Sequence, residues 1–276
     1  ADDSFMGKVN HYAGKLRLTF IGNFGRMWVT CLTVSSVGMS CPELSKIRAP
    51  WDLWNSGTCL RGANVWMKVI EPEFDGDSLG DQALGPPYGL GDFQRLRQMG
   101  ANYVNFSVPG IFSERPPYRF LPEVLSELQA LVRLAERADL FVVLSFRTGP
   151  GRNEAGFDSS ESARALHEVW KSPEAQAAWV SMWEKAARSF QGFPNLIGFD
   201  LMVEPNANDV WLKIWEPGDF FARYRNSLYD WTPLARRIVA AIRSVDGQTP
   251  ILIGGMNYSS LDWLSEVPDL GQKTVG

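Results

Sequence analysis

Past residue 60 the chain alternates short apolar runs with stretches whose apolar residues recur at helical spacing, and few folds accept that pattern. The runs cover residues 60–67, 103–108, 140–146, 195–203 and 250–255. The third reads LFVVLSF, nearly continuous and rich in β-branched residues, as expected for a strand covered on both faces. Between the second and third runs, apolar residues at 124, 125, 128, 131, 132 and 135 line one helical face. A short helix carrying Phe93, Leu96 and Met99 precedes the second run. Ser172-Pro173 opens another helix, closed by Gly192, and Thr232-Pro233 opens a further one that ends at Gly247. Strands that alternate with helices predict a parallel sheet, because parallel neighbours need a crossover between them. A (β/α)8 barrel and a doubly wound α/β sheet both satisfy this. The doubly wound sheet is short of its Gly-rich phosphate turn after the first strand.

Bulk properties narrow the chemistry. With 276 residues and 45% hydrophobic content, the chain is long enough for one large core of barrel size. Its formal net charge of -4 offers no basic face for nucleic acid or an anionic membrane. Cys31, Cys41 and Cys59 have no metal-type spacing, and His11 and His167 stand far from any cysteine cluster, so a Cys- or His-rich metal site is not expected. A Ser-His-Asp triad would have to use one of those two histidines. Carboxylate chemistry remains. The 11 tryptophans lean toward a carbohydrate ligand, since indole faces stack on sugar rings, with core packing as the alternative for each. Trp66, Trp170, Trp211, Trp215 and Trp231 are candidate platforms, with Trp211 and Trp215 at the i, i+4 spacing of a helical pair.

Residues 1–50 form an N-terminal extension apart from the barrel-like region 51–276. Within it, residues 27–41 are largely apolar but too short for a membrane span. They fit the apolar region of a secretory signal, or else a buried strand capping a barrel bottom. The signal reading implies a secreted or periplasmic protein, with membrane association only if Cys41 is lipidated.

Working residues of parallel barrels sit at the C-terminal ends of strands. Read in order, those ends carry Asn64 and Trp66, Asn105 and Ser107, Arg147, Glu204 and Asn206, then Asn257 and Tyr258. Turn chemistry also favours Asn at such places. Glu204 closes the run IGFDLMV, and Pro205 then stops the ladder, so a carboxylate emerges where a buried strand opens out. Glu71, Glu73, Asp75 and Glu216 lie in loops and read as solvated charges.

The segment NLIGFDLMVEPN, residues 195–206, resembles the fourth-strand signature of glycoside hydrolase family 5, the cellulases and mannanases. LRGAN at 60–64 is similar to the family's first strand, SPEAQAAWVSMWEKAARSFQGF at 172–193 to its third helix, and residues 251–258 to its fifth strand. The resemblance implies an incomplete (β/α)8 barrel, with strands one to five and the start of a sixth at residues 273–275, and roughly three βα units to follow. It implies retaining hydrolysis of β-linked glucan or mannan without a cofactor, Glu204 being the general acid/base. Retention needs two carboxylates about 5–5.5 Å apart. The family's nucleophile glutamate ends the seventh strand, beyond Gly276, so this piece alone is expected to be inactive. Three positions depart from the pattern. Val203 stands where the family has the asparagine that holds the sugar 2-hydroxyl, Asn105 where it has an arginine, and Arg147 where it has a histidine. Asn206 is a candidate replacement for the amide and Arg147 for the missing guanidinium. These changes keep two rivals open: a related barrel hydrolase acting on small glycosides, and a non-catalytic glycan-binding barrel.

Overall fold

The structure, a computed structural model, describes residues 16–20, 30–34, 50–55, 59–70, 79, 82–154, 167–267, 270–271 and 274–275. Strands β1 (Leu16–Phe20) and β2 (Thr30–Val34) form an antiparallel pair within the N-terminal extension. β2 thus lies inside the segment with signal-like composition, whose other residues, Cys41 included, fall outside the described ones. His11, Glu71, Glu73 and Asp75 also lie outside them.

The main sheet holds β3 (Gly62–Trp66), β6 (Tyr103–Pro109), β7 (Phe141–Thr148), β8 (Leu196–Asp200), β9 (Ile251–Leu252) and β10 (Thr274–Val275). These six strands are parallel and hydrogen-bond in strict chain order. A doubly wound sheet reverses its order at a switch point; this one never does, which is how the wall of a barrel is built. A small antiparallel pair, β4 (Lys68–Val69) and β5 (Leu84–Gly85), follows β3. The crossovers carry α2 (Leu90–Gln98), α3 (Pro122–Arg137), α4 (Pro173–Ser189), α5 (Pro217–Tyr224) and α6 (Trp231–Arg243).

Alternate strand residues face outward and join the helices in one core: Val104, Phe106, Val142, Leu144, Phe146 and Phe199 pack with Phe93, Val132, Trp183 and Ile238. The residues of opposite parity face the barrel axis, and a register shift between Val142 and Val143 puts Ile197 on that side as well, although it shares the parity of Phe199. Phe141, Val143 and Ile197 fill the lower end of the barrel with Leu53, where α1 (Pro50–Asn55) seats Trp54, whose Nε1 donates to the Ile197 carbonyl at 2.8 Å.

Several boundaries differ from expectation. β8 leaves the ladder after Asp200, although the Val203 amide still donates to the Phe146 carbonyl at 3.0 Å. β9 is two residues long, because the chain turns away through Gly254 and Gly255. Asp230, not Thr232, caps α6: its carboxylate accepts from the Thr232 amide at 2.9 Å, placing the start one residue before Thr232-Pro233. Ser172 caps α4 as the sequence suggests, with Pro173 in the first turn.

Candidate active site

Above the apolar floor of the barrel lies a belt of hydrogen-bonded polar side chains. Asn105 Nδ2 donates to Asn64 Oδ1 at 2.8 Å, and Ser145 Oγ lies 2.6 Å from Asn105 Oδ1 and 3.0 Å from Asp200 Oδ2. Asn64 and Asn105 are adjacent on β3 and β6, which places both beneath the mouth rather than at it. In this arrangement protons are scarce. Ser145 has one hydroxyl proton to share between Asn105 Oδ1 and Asp200 Oδ2, so its donation satisfies the Asp200 carboxylate only in part. Although part of Asp200 reaches solvent, its carboxyl lies deep among barrel side chains. Loss of hydration pushes it up to about 6, against a smaller opposing pull from Ser145.

That shift has a sign. The native state keeps the Asp200 proton to higher pH than the unfolded chain does. Its contribution to stability is therefore fully present below the ordinary carboxyl value of 3.8 and declines as pH rises through about 6. Asp200→Asn is expected to raise Tm by about 2–4 °C at pH 8, and by much less at pH 4. Thermal unfolding at both pH values checks this; equal increments at the two would show that Asp200 does not titrate in that window.

At the mouth, β8 delivers Glu204. Its backbone has φ 55, a left-handed conformation that non-glycine residues seldom adopt. All three carbonyls around it are held. Arg152 Nη1 donates to the Val203 carbonyl at 2.6 Å, Arg152 Nη2 to the Glu204 carbonyl at 2.8 Å, and the Tyr258 amide to the Pro205 carbonyl at 3.0 Å. Arg152 comes from a tight turn after β7 in which Gly149 and Arg152 exchange backbone hydrogen bonds, each 2.8 Å. Gly151 in that turn has φ 68, and a Cβ there would stand 2.7 Å from the Val169 nitrogen, so only glycine fits. Arg152 is fully buried, and burial lowers its guanidinium to about 9, opposed by the neighbouring Glu204 and Glu154 carboxylates. Arg147, also close, pairs through Nε with Glu154 Oε2 at 2.9 Å. That ion pair engages the side chain proposed to replace the missing guanidinium.

The loops after β8 and β9 interlock. Asn208 Nδ2 donates to Asn257 Oδ1 at 3.0 Å, and the Asn257 amide to Asn208 Oδ1 at 3.1 Å. Tyr258 Oη donates to Asp209 Oδ2 at 2.7 Å, and Lys213 Nζ pairs with Asp209 Oδ1 at 2.7 Å. Burial, then the Asp209 carboxylate, pushes the Tyr258 phenol up to about 12. Asn257, Tyr258 and Ser259 are all left-handed, with φ of 54, 59 and 59.

Several site expectations are corrected by these contacts. Asn206 is completely buried, and its Oδ1 accepts from Trp170 Nε1 at 3.3 Å, so it braces the loop instead of offering an amide at the mouth. Trp170 and Trp231 are core residues, not platforms. Trp211 and Trp215 do not form a helical pair. Trp211 lies in a single wide turn (Asn208–Leu212), Lys213 is left-handed with φ 54, and Trp215 follows beyond it, 56% exposed. The Lys171 ammonium sits 3.0 Å from the Trp211 ring centroid, covering one face of the indole. Trp66 is half-buried at the end of β3, and Glu216 is exposed ahead of α5. Among the described residues no cluster of three or more His, Cys, Asp or Glu side chains is set to hold a metal ion.

Sequence reasoning passed over Arg152, Ser145 and Asp200. Asp200 carried a signal, being a charge in the middle of an apolar strand run. The signal for Arg152 was its place at the end of a Gly-Pro-Gly turn that follows a strand.

With fold and site in place, comparison identifies the lineage. Residues 84–274 match the model of the cellulase family, glycosyl hydrolase family 5, and the chain belongs to that family. Endoglucanase C of Acetivibrio thermocellus is 23% identical over 184 residues, 65% of this chain and 46% of that protein. An endoglycoceramidase of Cyanea nozakii is 32% identical over 83 residues, 29% of this chain and 15% of that protein. The crystal structure of endoglucanase Cel5A from Thermotoga maritima superposes with a TM-score of 0.53 at 16% identity, covering 78% of this chain and 58% of that one. At that identity the likeness is one of fold, and the sheet described above is part of a (β/α)8 barrel. The chain spans about half the length of the endoglucanases it matches.

Proposed function

We propose that the intact protein is a retaining glycosidase acting on β-linked glycans, β-1,4-glucan or mannan, with Glu204 as general acid/base. The observation that carries this reading is the placing of Glu204. It stands at the exit of the fourth strand of the wall, with its own carbonyl and its neighbour's gripped by a buried arginine. A surface glutamate needs no such support, whereas a proton donor has to be held within reach of one particular oxygen. In the proposed cycle Glu204 protonates the departing glycosidic oxygen while a second carboxylate, which we place beyond Gly276, attacks the anomeric carbon. Glu204 then takes a proton from the water that releases the sugar, and two inversions give net retention. Trp66, half-buried, and Trp215, largely exposed, are the indole surfaces we assign to sugar rings, and Arg152 and Tyr258 are polar neighbours of Glu204, with Arg147 beside Arg152. Export to the cell exterior or periplasm belongs to this reading, because a polymeric glycan is met there.

The endoglycoceramidase relative favours a second substrate, a glycan linked to ceramide. The same acid/base would serve that leaving group.

The test is hydrolysis by the intact protein of cellulose and mannan oligomers, aryl β-cellobioside and β-mannoside, and a glucosylceramide. The anomer first formed is followed by proton NMR. The expected result is release of the β-anomer from at least one of these substrates. Initial α-anomer would replace retention by inversion. Binding of glycan with no hydrolysis of any of them would hand the site to the glycan-binding alternative.

A further inference from the structure

We infer that Arg152 is a positioning residue for Glu204, its guanidinium fixing the left-handed backbone of the glutamate and with it the direction of the carboxylate. The inference rests on the reading of Glu204 as the acid/base. Its grounds are geometric. The two donors of one planar fork reach two successive carbonyls, at 2.6 and 2.8 Å, so the two peptide planes that flank the Glu204 Cα are held relative to each other, and with them the residue's φ and ψ. A residue at φ 55 persists only where its surroundings over-determine it. Without the fork, Glu204 is free to relax to an ordinary conformation, and its side chain then points elsewhere.

The turn that carries the fork is itself anchored. It is seated on α4, where Trp179 Nε1 donates to the Pro150 carbonyl at 2.8 Å, and Gly151 presses against the Val169 nitrogen. A purely structural role is poorly served by such a residue. Burying a cation loses its hydration, and an apolar side chain of similar volume commonly supports a fold as well or better. Two residues earlier on the same segment, the Leu201 carbonyl is satisfied by a neutral donor, Trp183 Nε1 at 2.8 Å. A charge is spent only where the glutamate leaves the strand. The charged and titratable neighbours of Arg152 are Arg147, Glu204, Glu154 and Tyr258.

A misplaced acid leaves a kinetic signature that a weakened fold does not. Departure of 2,4-dinitrophenolate needs no proton, whereas departure of a sugar or a simple phenol does. Arg152→Met and Arg152→Lys are therefore compared in the intact protein with wild type and Glu204→Ala, on dinitrophenyl and phenyl β-cellobiosides, with Tm measured for each. The expected outcome is a fall of about 10²-fold or more in kcat/KM on the phenyl substrate with a fall of less than about 3-fold on the dinitrophenyl one. Azide should accelerate turnover of the latter, as it does for Glu204→Ala. Lysine, unable to span both carbonyls, should resemble methionine in this ratio while keeping the buried charge, so the lysine variant decides the matter if methionine prevents folding. Parallel losses on both substrates, or no loss, would overturn the inference and leave the Glu204 reading intact. A wild-type ratio in Glu204→Ala would overturn that reading, and the inference with it.

Discussion

Replacing Glu204 by alanine in the intact protein is expected to lower hydrolysis of an unactivated β-glycoside by about 10²–10⁴-fold, the usual contribution of a positioned general acid/base. Added azide should restore much of the rate on an activated substrate and yield a β-glycosyl azide. The small anion enters the space left by the carboxylate and needs no base to attack. KM on the activated substrate should fall along with kcat, because the glycosyl-enzyme then accumulates. Steady-state rates with and without azide, together with mass detection of the azide product, check each part. A fall of less than about 10-fold, with no azide product, would remove Glu204 from the reaction.

The largest expected effect on stability lies one layer behind the site. Trp183 of α4 is completely buried, donates from Nε1 to the Leu201 carbonyl, and packs against Phe146 at 4.3 Å and edge-on to Phe199 at 5.5 Å between ring centroids. It thereby ties a helix to two adjacent strands just before β8 releases the chain toward Glu204. Trp183→Ala should cost about 3–5 kcal/mol, from lost apolar burial, an unfilled cavity and an unpaired carbonyl. Trp183→Phe keeps most of the volume and loses the hydrogen bond, for which about 1–2 kcal/mol is expected. Denaturant unfolding of the three proteins measures both. If alanine costs no more than phenylalanine, the site has collapsed around the gap and the indole is not what joins these layers.

The barrel was legible because its cause is local. Outward-facing residues make each strand apolar, and amphipathic helices sit between strands at regular intervals, so alternation and chain order follow from period alone. The emergence of Glu204 was legible for the same reason: a charge and a proline together end an apolar run. What stayed hidden depends on groups distant in sequence. Arg152 reads as a loop cation until the turn brings it against carbonyls 51 and 52 residues away. Trp211 and Trp215 have helical spacing, yet left-handed Lys213 breaks the helix between them, and nothing in a lysine announces that conformation. Asn257 tolerates the left-handed region by itself, but Tyr258 does so where Asp209 and Pro205 hold it. Asn64 and Asn105 read as strand-end residues, yet both lie within their strands, since period reports the face of a strand and not the depth along the barrel.

The paired amides of Asn208 and Asn257, with Tyr258 bonded to both Pro205 and Asp209, bear on how this lineage can diversify. Barrel enzymes commonly acquire new substrates by exchanging one loop at a time over a constant wall. Here the connections after the fourth and fifth wall strands brace each other's unfavourable backbone, so grafting either alone would orphan the other and loosen the glutamate between them. Successful recombinants in this branch should inherit the two loops together, as one transferable cassette.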